Sequence, residues 1–442
     1  MPSVITASPV ERISKMLTSP EAKRKEEGME KGMIWRWKWV FVSLMGLAVI
    51  LASNGPAAQA QEEIRIGLLA PLTGSMAKPG EEIVNGNKLF WEQAGYKAGG
   101  RPVRVIYADT VCNPDNTAAQ SRRLIHGEKI HILSGPVCGH ETQAAAQIAN
   151  ETDTPFVNDP GGADTVTKWT RVPQLVRTGV CGSQVGHPWG DYLYKELGAR
   201  NVTYIAQDYT WGQEVTLGGI AVYKAAGGKV AKIIWAPIGT TDYGPLLGAI
   251  PPDTDAVVAV VVGADRARLA QQWFNFGYDR KFKIYGGYWL HEDALPFMDD
   301  RVVGLIAQSA HYSSGIDTPE NKAFVDSYAK KYKSIPSWFG ESAYTASLWI
   351  KTAIDSINGK VEDKKAFLQA MRKVKIKAPR GPLYLDEYDH PIQNIYISKV
   401  VKVKHPILGD VRMTVPIKTY PEVSQFWTWK PAEFLARGPY IR

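Results

Sequence analysis

The stretch "LSGPVCGHETQAAA", Leu133 to Ala146, decides how this chain is read. Apolar residues run into it, and an alanine-rich, helix-forming run leaves it. Between them lies a turn of Gly135, Pro136, Cys138, Gly139 and His140. A strand handing over to a helix through small residues is one step of a βαβ unit. At such a step the first N–H groups of the helix are unpaired and the helix dipole is positive. That end of a strand is therefore suited to a carboxylate or another anion, and glycine lets a ligand approach the backbone closely.

The same alternation extends in both directions. "IRIGLLA" from Ile64 and "VRVIYAD" from Val103 read as strands, with a helix over "EEIVNGNKLFWEQAG" whose Ile83, Leu89 and Phe90 face inward. "NTAAQSRRLIHG" is a second helix, and "IHILSG" and "TPFVND" continue the strands. The series then restarts with "NVTYIAQD", "KVAKIIW" and "DAVVAVVVG", followed by the helix "RARLAQQWFNFG" and the strands "FKIYGG" and "VGLIAQSAHY". Strands alternating with helices of this length predict parallel sheets, here two α/β series and hence two doubly wound lobes. "PENKAFVDSYAKKY" and "GESAYTASLWIKTAIDSI" are consecutive amphipathic helices that return to cover the first lobe.

Charge and targeting narrow the class. The net charge is +8, but residues 1–60 hold eight Lys/Arg against five Asp/Glu, so the remainder carries +5. No basic run interleaved with aromatics occurs in that remainder, which argues against a nucleic-acid partner. Arg36 and Lys38 precede an apolar stretch from Val40 to Ala52, and small residues follow to Ala58-Gln59-Ala60. This is the layout of a secretory signal peptide cleaved after Ala60, and the apolar run is short of the ~20 residues a membrane span needs. The expected mature protein is exported. Export permits one disulfide among Cys112, Cys138 and Cys181 and leaves one thiol over; no Cys-x-x-Cys or His-x-x-x-His spacing suggests a metal.

No Gly-x-Ser-x-Gly, His-Glu-x-x-His, P-loop or Gly-x-Gly-x-x-Gly is present, so an enzyme is not expected, and no cofactor is called for. His140-Glu141 and His291-Glu292 read as helix-start pairs rather than acid/base sites. Other strand ends carry aromatics in polar, glycine-containing loops: "QDYTWGQE" with Trp211, and "YGGYWLHE" with Tyr288 and Trp289. Core packing and ligand contact are both open for these three rings. His140 serves equally well as a helix cap.

From Glu63 onward the chain resembles the type I periplasmic solute-binding proteins of the branched-chain amino acid transporter family. "LLAPLTGSMAKPGEEIVNGNKLF" is similar to that family's opening strand, loop and helix, and "DTVCNPDNTAAQSRRLI…ILSGPVCGHETQ" to a segment whose two cysteines are bridged. The resemblance implies a Cys112–Cys138 disulfide with Cys181 free. It places carboxylate-binding turns on Gly139 and His140 and on Gly161, Gly162 and Ala163. It places the loop after the first strand on Lys78 and Pro79, and an aromatic of the second lobe on Trp211. Where amino-acid binders carry an acid for the ammonium, this chain has Tyr288; Asp164, Asp208 or Glu292 could substitute. With Trp289, the pocket so implied suits an aromatic carboxylate, while a branched-chain amino acid or an amide remains the alternative. Three crossovers, near 180, 311 and 375, would join lobe 1 (61–180 and 312–375) to lobe 2 (181–311 and 376–442), after an N-terminal extension and signal peptide (1–60). The implied role is a monomeric binding component that closes on a small molecule and delivers it to an inner-membrane ABC permease; a periplasmic sensor is the other role this fold serves.

Overall fold

The computed structural model describes residues 62–442, so the signal-peptide reading lies outside the described residues. The first sheet holds β1 (Ile64–Ala70), β2 (Lys97–Ala98), β3 (Arg101–Asp109), β4 (Ile132–Gly135), β5 (Phe156–Asn158) and β6 (Leu175–Arg177), in the order β2-β3-β1-β4-β5-β6. All its pairings are parallel except the β2–β3 hairpin. β1 is almost wholly buried because helices cover both faces, which is why it reads as an uninterrupted apolar run. Ile83, Leu89 and Phe90 of the helix Ala77–Gln93 are buried, as their spacing predicts.

The second sheet is mixed. β7 (Asn201–Gln207), β8 (Lys229–Ala236), β9 (Ala256–Val260) and β10 (Lys283–Tyr288) are parallel. β11 (Ile306–Ala310) runs against β10. β12 (Ile376–Ala378), β13 (Gly381–Leu385) and the hairpin of β14 (Pro391–His405) and β15 (Gly409–Val423) extend the sheet antiparallel. The chain is therefore α/β with two doubly wound lobes, the second carrying an antiparallel flank.

The helices Pro319–Tyr332 and Trp338–Ser356 return to the first lobe. Trp349, Ile350 and Ile354 share a core with Ile64, Ile66 and Trp91. The last strand of the first sheet ends at Arg177 and β11 of the second at Ala310, while Val374 and Leu383 still share the core of Ile64 and Ile66, so the chain stays with the first lobe beyond Lys373. In each sheet the strand order reverses beside the first strand of its series, at β1/β4 and at β7/β9. Crevices open at such points beyond the carboxyl ends of the strands. The helices starting at Gly139, Thr210, Asp265 and Trp338 all follow such strand ends or lie against them.

Candidate functional site

The turn after β4 is held from two sides. Cys112 and Cys138 are disulfide-bonded, and Cys181 is a buried free thiol. Glu141 accepts from the Cys138 N–H (2.9 Å) as the third residue of a capping box, so the helix-start reading of His140-Glu141 describes its geometry. His140 Nε2 lies 2.9 Å from the Cys112 carbonyl oxygen, a donor arrangement that ties the imidazole to the disulfide.

Glycines let the two lobes meet here. A Cβ on Gly162 would lie 2.1 Å from the Trp211 ring, and one on Gly139 would lie 2.6 Å from the Gly162 carbonyl oxygen and 3.2 Å from Thr210. Contacts that close leave no room for any side chain. Trp211 is in turn stacked on Trp338 (6.1 Å, 15°) and meets Tyr288 edge-on (5.1 Å). Tyr288 also meets Trp338 (5.6 Å) and His291 (4.5 Å) edge-on. Trp338 comes from the first lobe, as the first residue of a helix capped by the Ser337 hydroxyl; Trp211, Tyr288 and His291 come from the second.

Charge enters this group through Arg266. Its Nη1 pairs with both Asp293 oxygens (2.5 and 2.7 Å), its Nε donates to the Val261 carbonyl (3.1 Å), and its guanidinium lies 5.7 Å from the Tyr288 ring. Among the described residues Arg266 Nη2 has no partner, nor do Trp211 Nε1, Trp338 Nε1, Tyr288 Oη or either nitrogen of His291. All five side chains are buried. Burial, reinforced by the Arg266 charge, holds His291 well below the usual histidine range, and burial lifts Tyr288 well above the usual tyrosine range.

The remaining expected residues are spread around this group. Lys78 pairs with Glu81 (3.1 Å) and Glu82 (3.7 Å); burial works against its charge, but those acids and Asp293 hold its pKa above the ordinary value. Pro79 is buried in the first turn of the same helix. Gly161 donates to the Pro136 carbonyl, and the Ala163 carbonyl accepts from Arg177 Nη2 (2.6 Å). Trp289 does not join the aromatic group. It lies in the core on the opposite face of the second sheet, with Nε1 donating to the Arg266 carbonyl.

The three acids considered as ammonium partners are all engaged elsewhere. Asp164 pairs with Lys168 (2.8 Å), Asp208 with Arg442 (2.8 Å), and Glu292 accepts from Ser314 and Thr414. A surface cleft of about 550 Å³ beside Arg171, Arg372 and Asp389 lies apart from the aromatic group, and Arg372 there is already paired with Asp389. Sequence reasoning missed Arg266, Trp338, His291 and Asp293. The strand-end rule could have flagged Arg266, which follows β9 within six residues.

Comparison with known proteins bears on most of the described chain. The profile of a family described as "Periplasmic binding protein" matches residues 63–404. A Leu/Ile/Val-binding protein homolog 6 of Brucella suis biovar 1 (strain 1330) is 26% identical over 373 residues, covering 82% of this chain and 93% of that protein. An ABC transporter substrate-binding protein from Sphaerobacter thermophilus superposes with a TM-score of 0.76 at 28% identity, covering 82% of this chain and 99% of the other. A solute-binding protein of an ABC transporter from Rhodopseudomonas palustris BisB5, solved in complex with 3,4-dihydroxybenzoic acid, superposes at 0.77 with 28% identity, covering 82% and 98%.

Proposed function

The chain belongs to the periplasmic binding proteins, as a substrate-binding component of an ABC transporter, and we propose that its solute is an aromatic carboxylate. The family is one of solute-binding proteins rather than enzymes, and its setting is the periplasm. One observation carries the choice of ligand. Buried donors of Arg266, Trp211 and Trp338 lack acceptors among the described residues, and the rings they belong to or face form one aromatic group. An unmet buried donor costs about 1–3 kcal/mol, so a carboxylate on an aromatic ring complements the group in both charge and shape. The dihydroxybenzoate-bound relative supports the same class.

In this reading Trp211 and Tyr288 of the second lobe and Trp338 of the first clamp the ring. Gly139, His140, Gly161, Gly162 and Ala163 form the wall against which Trp211 closes, and Lys78 and Pro79 form its rim. Trp289 acts from behind, as a support for Arg266. The closed lobes then deliver the solute, as a monomer, to a membrane permease.

The Brucella relative's name favours a second reading, a branched-chain amino acid. That ligand brings an ammonium, and Asp293, the acid in the group, is already engaged by Arg266. A buried ammonium left without a carboxylate is costly. Calorimetry and melting curves separate the two. Benzoate-type acids raise the melting temperature, with about 2.7 kcal/mol of stabilisation at 100 times the dissociation constant. Leucine, isoleucine and valine leave it unchanged. Tight leucine binding with no response to aromatic acids overturns the proposal.

A further inference from the structure

We propose that the protein selects a ring-hydroxylated aromatic acid over the unsubstituted one, with His291 as the residue that reads the hydroxyl. This rests on the aromatic-carboxylate reading above and follows from a count of donors and acceptors. Arg266 Nη2 and the two indole nitrogens can only donate. A carboxylate, which only accepts, answers all three. His291 is different. Both its nitrogens are buried without a partner among the described residues, and its ring lies 4.5 Å from Tyr288 and 6.1 Å from Trp338.

Burial and the positive charge of Arg266 keep this imidazole neutral, so one nitrogen donates and the other accepts. The accepting nitrogen needs a donor that a carboxylate cannot supply. Tyr288, the hydroxyl of the same group, leaves it unanswered, since its own oxygen has no partner among the described residues. A phenolic O–H on the ligand donates to His291, and its oxygen can accept from a neighbouring N–H. A ligand without that O–H leaves a buried acceptor unpaired, and sites built around such a bond reject the analogue that lacks it.

The test is calorimetric titration with benzoate, 3- and 4-hydroxybenzoate, and the matching methoxybenzoates, which keep the oxygen and lose the donor. At least one hydroxybenzoate is expected to bind about tenfold or more tightly than both benzoate and its methoxy counterpart. In His291→Phe, which keeps a ring and removes both nitrogens, that gap closes. A wild-type protein that binds benzoate as well as every hydroxybenzoate overturns this inference alone. So does a gap that persists in His291→Phe. Failure of every aromatic acid to bind overturns the aromatic-carboxylate reading itself, and this inference with it. Should His291→Phe fail to fold, the hydroxy-against-methoxy comparison on the wild-type protein still decides.

Discussion

Arg380 and Arg266 are both almost wholly shielded from water, at 1% and 0% exposure, yet their surroundings answer them differently. Arg380 lies between the lobes on the crossover side. Nε donates to Glu341 (3.0 Å), Nη1 to the Thr178 carbonyl (3.1 Å) and Gln393 (3.3 Å), and Nη2 to Ser342 (3.1 Å). The network continues through Gln393 to the Gly179 carbonyl, and through Gln184 to His390 and the Val423 carbonyl. Arg266 ends instead on a nitrogen without an acceptor among the described residues, beside indoles and an imidazole in the same condition. A buried polar network that closes on itself fixes geometry. On the reading proposed above, one that stays open among the protein's own groups is answered by the solute. On the aromatic-carboxylate proposal, the two arginines mark the scaffold and the site.

The contrast predicts opposite phenotypes. Arg380→Met leaves Glu341 buried without its partner, and breaking a buried pair from one side costs about 3–5 kcal/mol. Denaturant titration is expected to show a loss of that size, with the remaining folded protein binding its ligand as before. Loss of affinity at unchanged stability would erase the distinction drawn between the two arginines.

Glu82 stands at the border of the two regions. It accepts from Tyr328 (2.9 Å) and from the Ser337 N–H (3.1 Å), at the start of the helix that presents Trp338. Burial lifts its pKa from 4.5 to about 7, although Lys78 opposes the shift. The folded state therefore holds a proton that the unfolded chain has lost, so stability falls as pH rises from about 4.5 through 7. The expected decline is about 3 kcal/mol at most, and Glu82→Gln, which keeps an acceptor, flattens it. Stability measured at pH 5, 6, 7 and 8 for both proteins checks this; identical profiles would place the titration elsewhere.

The smallest effect tests the site directly. Trp211→Ala removes one wall of the aromatic group while leaving Arg266 and Asp293 in place. Affinity for an aromatic acid is expected to drop by about 1–3 kcal/mol in calorimetry, with the circular dichroism spectrum unchanged. A loss of stability comparable to that of Arg380→Met would instead assign Trp211 to the scaffold.

Much of this architecture could be read from residue order. The strands after Ile64 and Asn201 and the helix at Pro319 follow from apolar runs, periodicity and punctuation, which are local signals. Trp211 and Tyr288 were singled out because such sheets bind at strand ends, and the structure brings their rings together. Trp289 shows the limit of that rule. Successive residues of a strand face opposite sides of its sheet, so Tyr288 and its neighbour could not both face the cleft. Trp338 was illegible for another reason. It stands 127 positions beyond Trp211, ahead of the Gly340 at which periodicity starts the helix, and only the return of the chain to the first lobe brings the two rings together. Arg266 and His291 needed knowledge of which buried atoms lack partners, and that is a property of packing.

The stacking of Trp211 on Trp338 gives the molecule a built-in optical gauge. The two indoles belong to different lobes, so any swing at the crossovers changes their separation and their exposure to water at the same time. Indole emission shifts in wavelength and intensity with both. The chain has 14 tryptophans, of which Trp35, Trp37 and Trp39 lie outside the described residues; Trp91, Trp189, Trp273, Trp289 and Trp349 are buried within one lobe or the other and contribute a constant background. If the lobes close on the solute as proposed, the ligand-dependent part of the fluorescence reads that closure, and Trp338→Phe provides the blank. The rate of the proposed closure can then be followed in real time without attaching a dye.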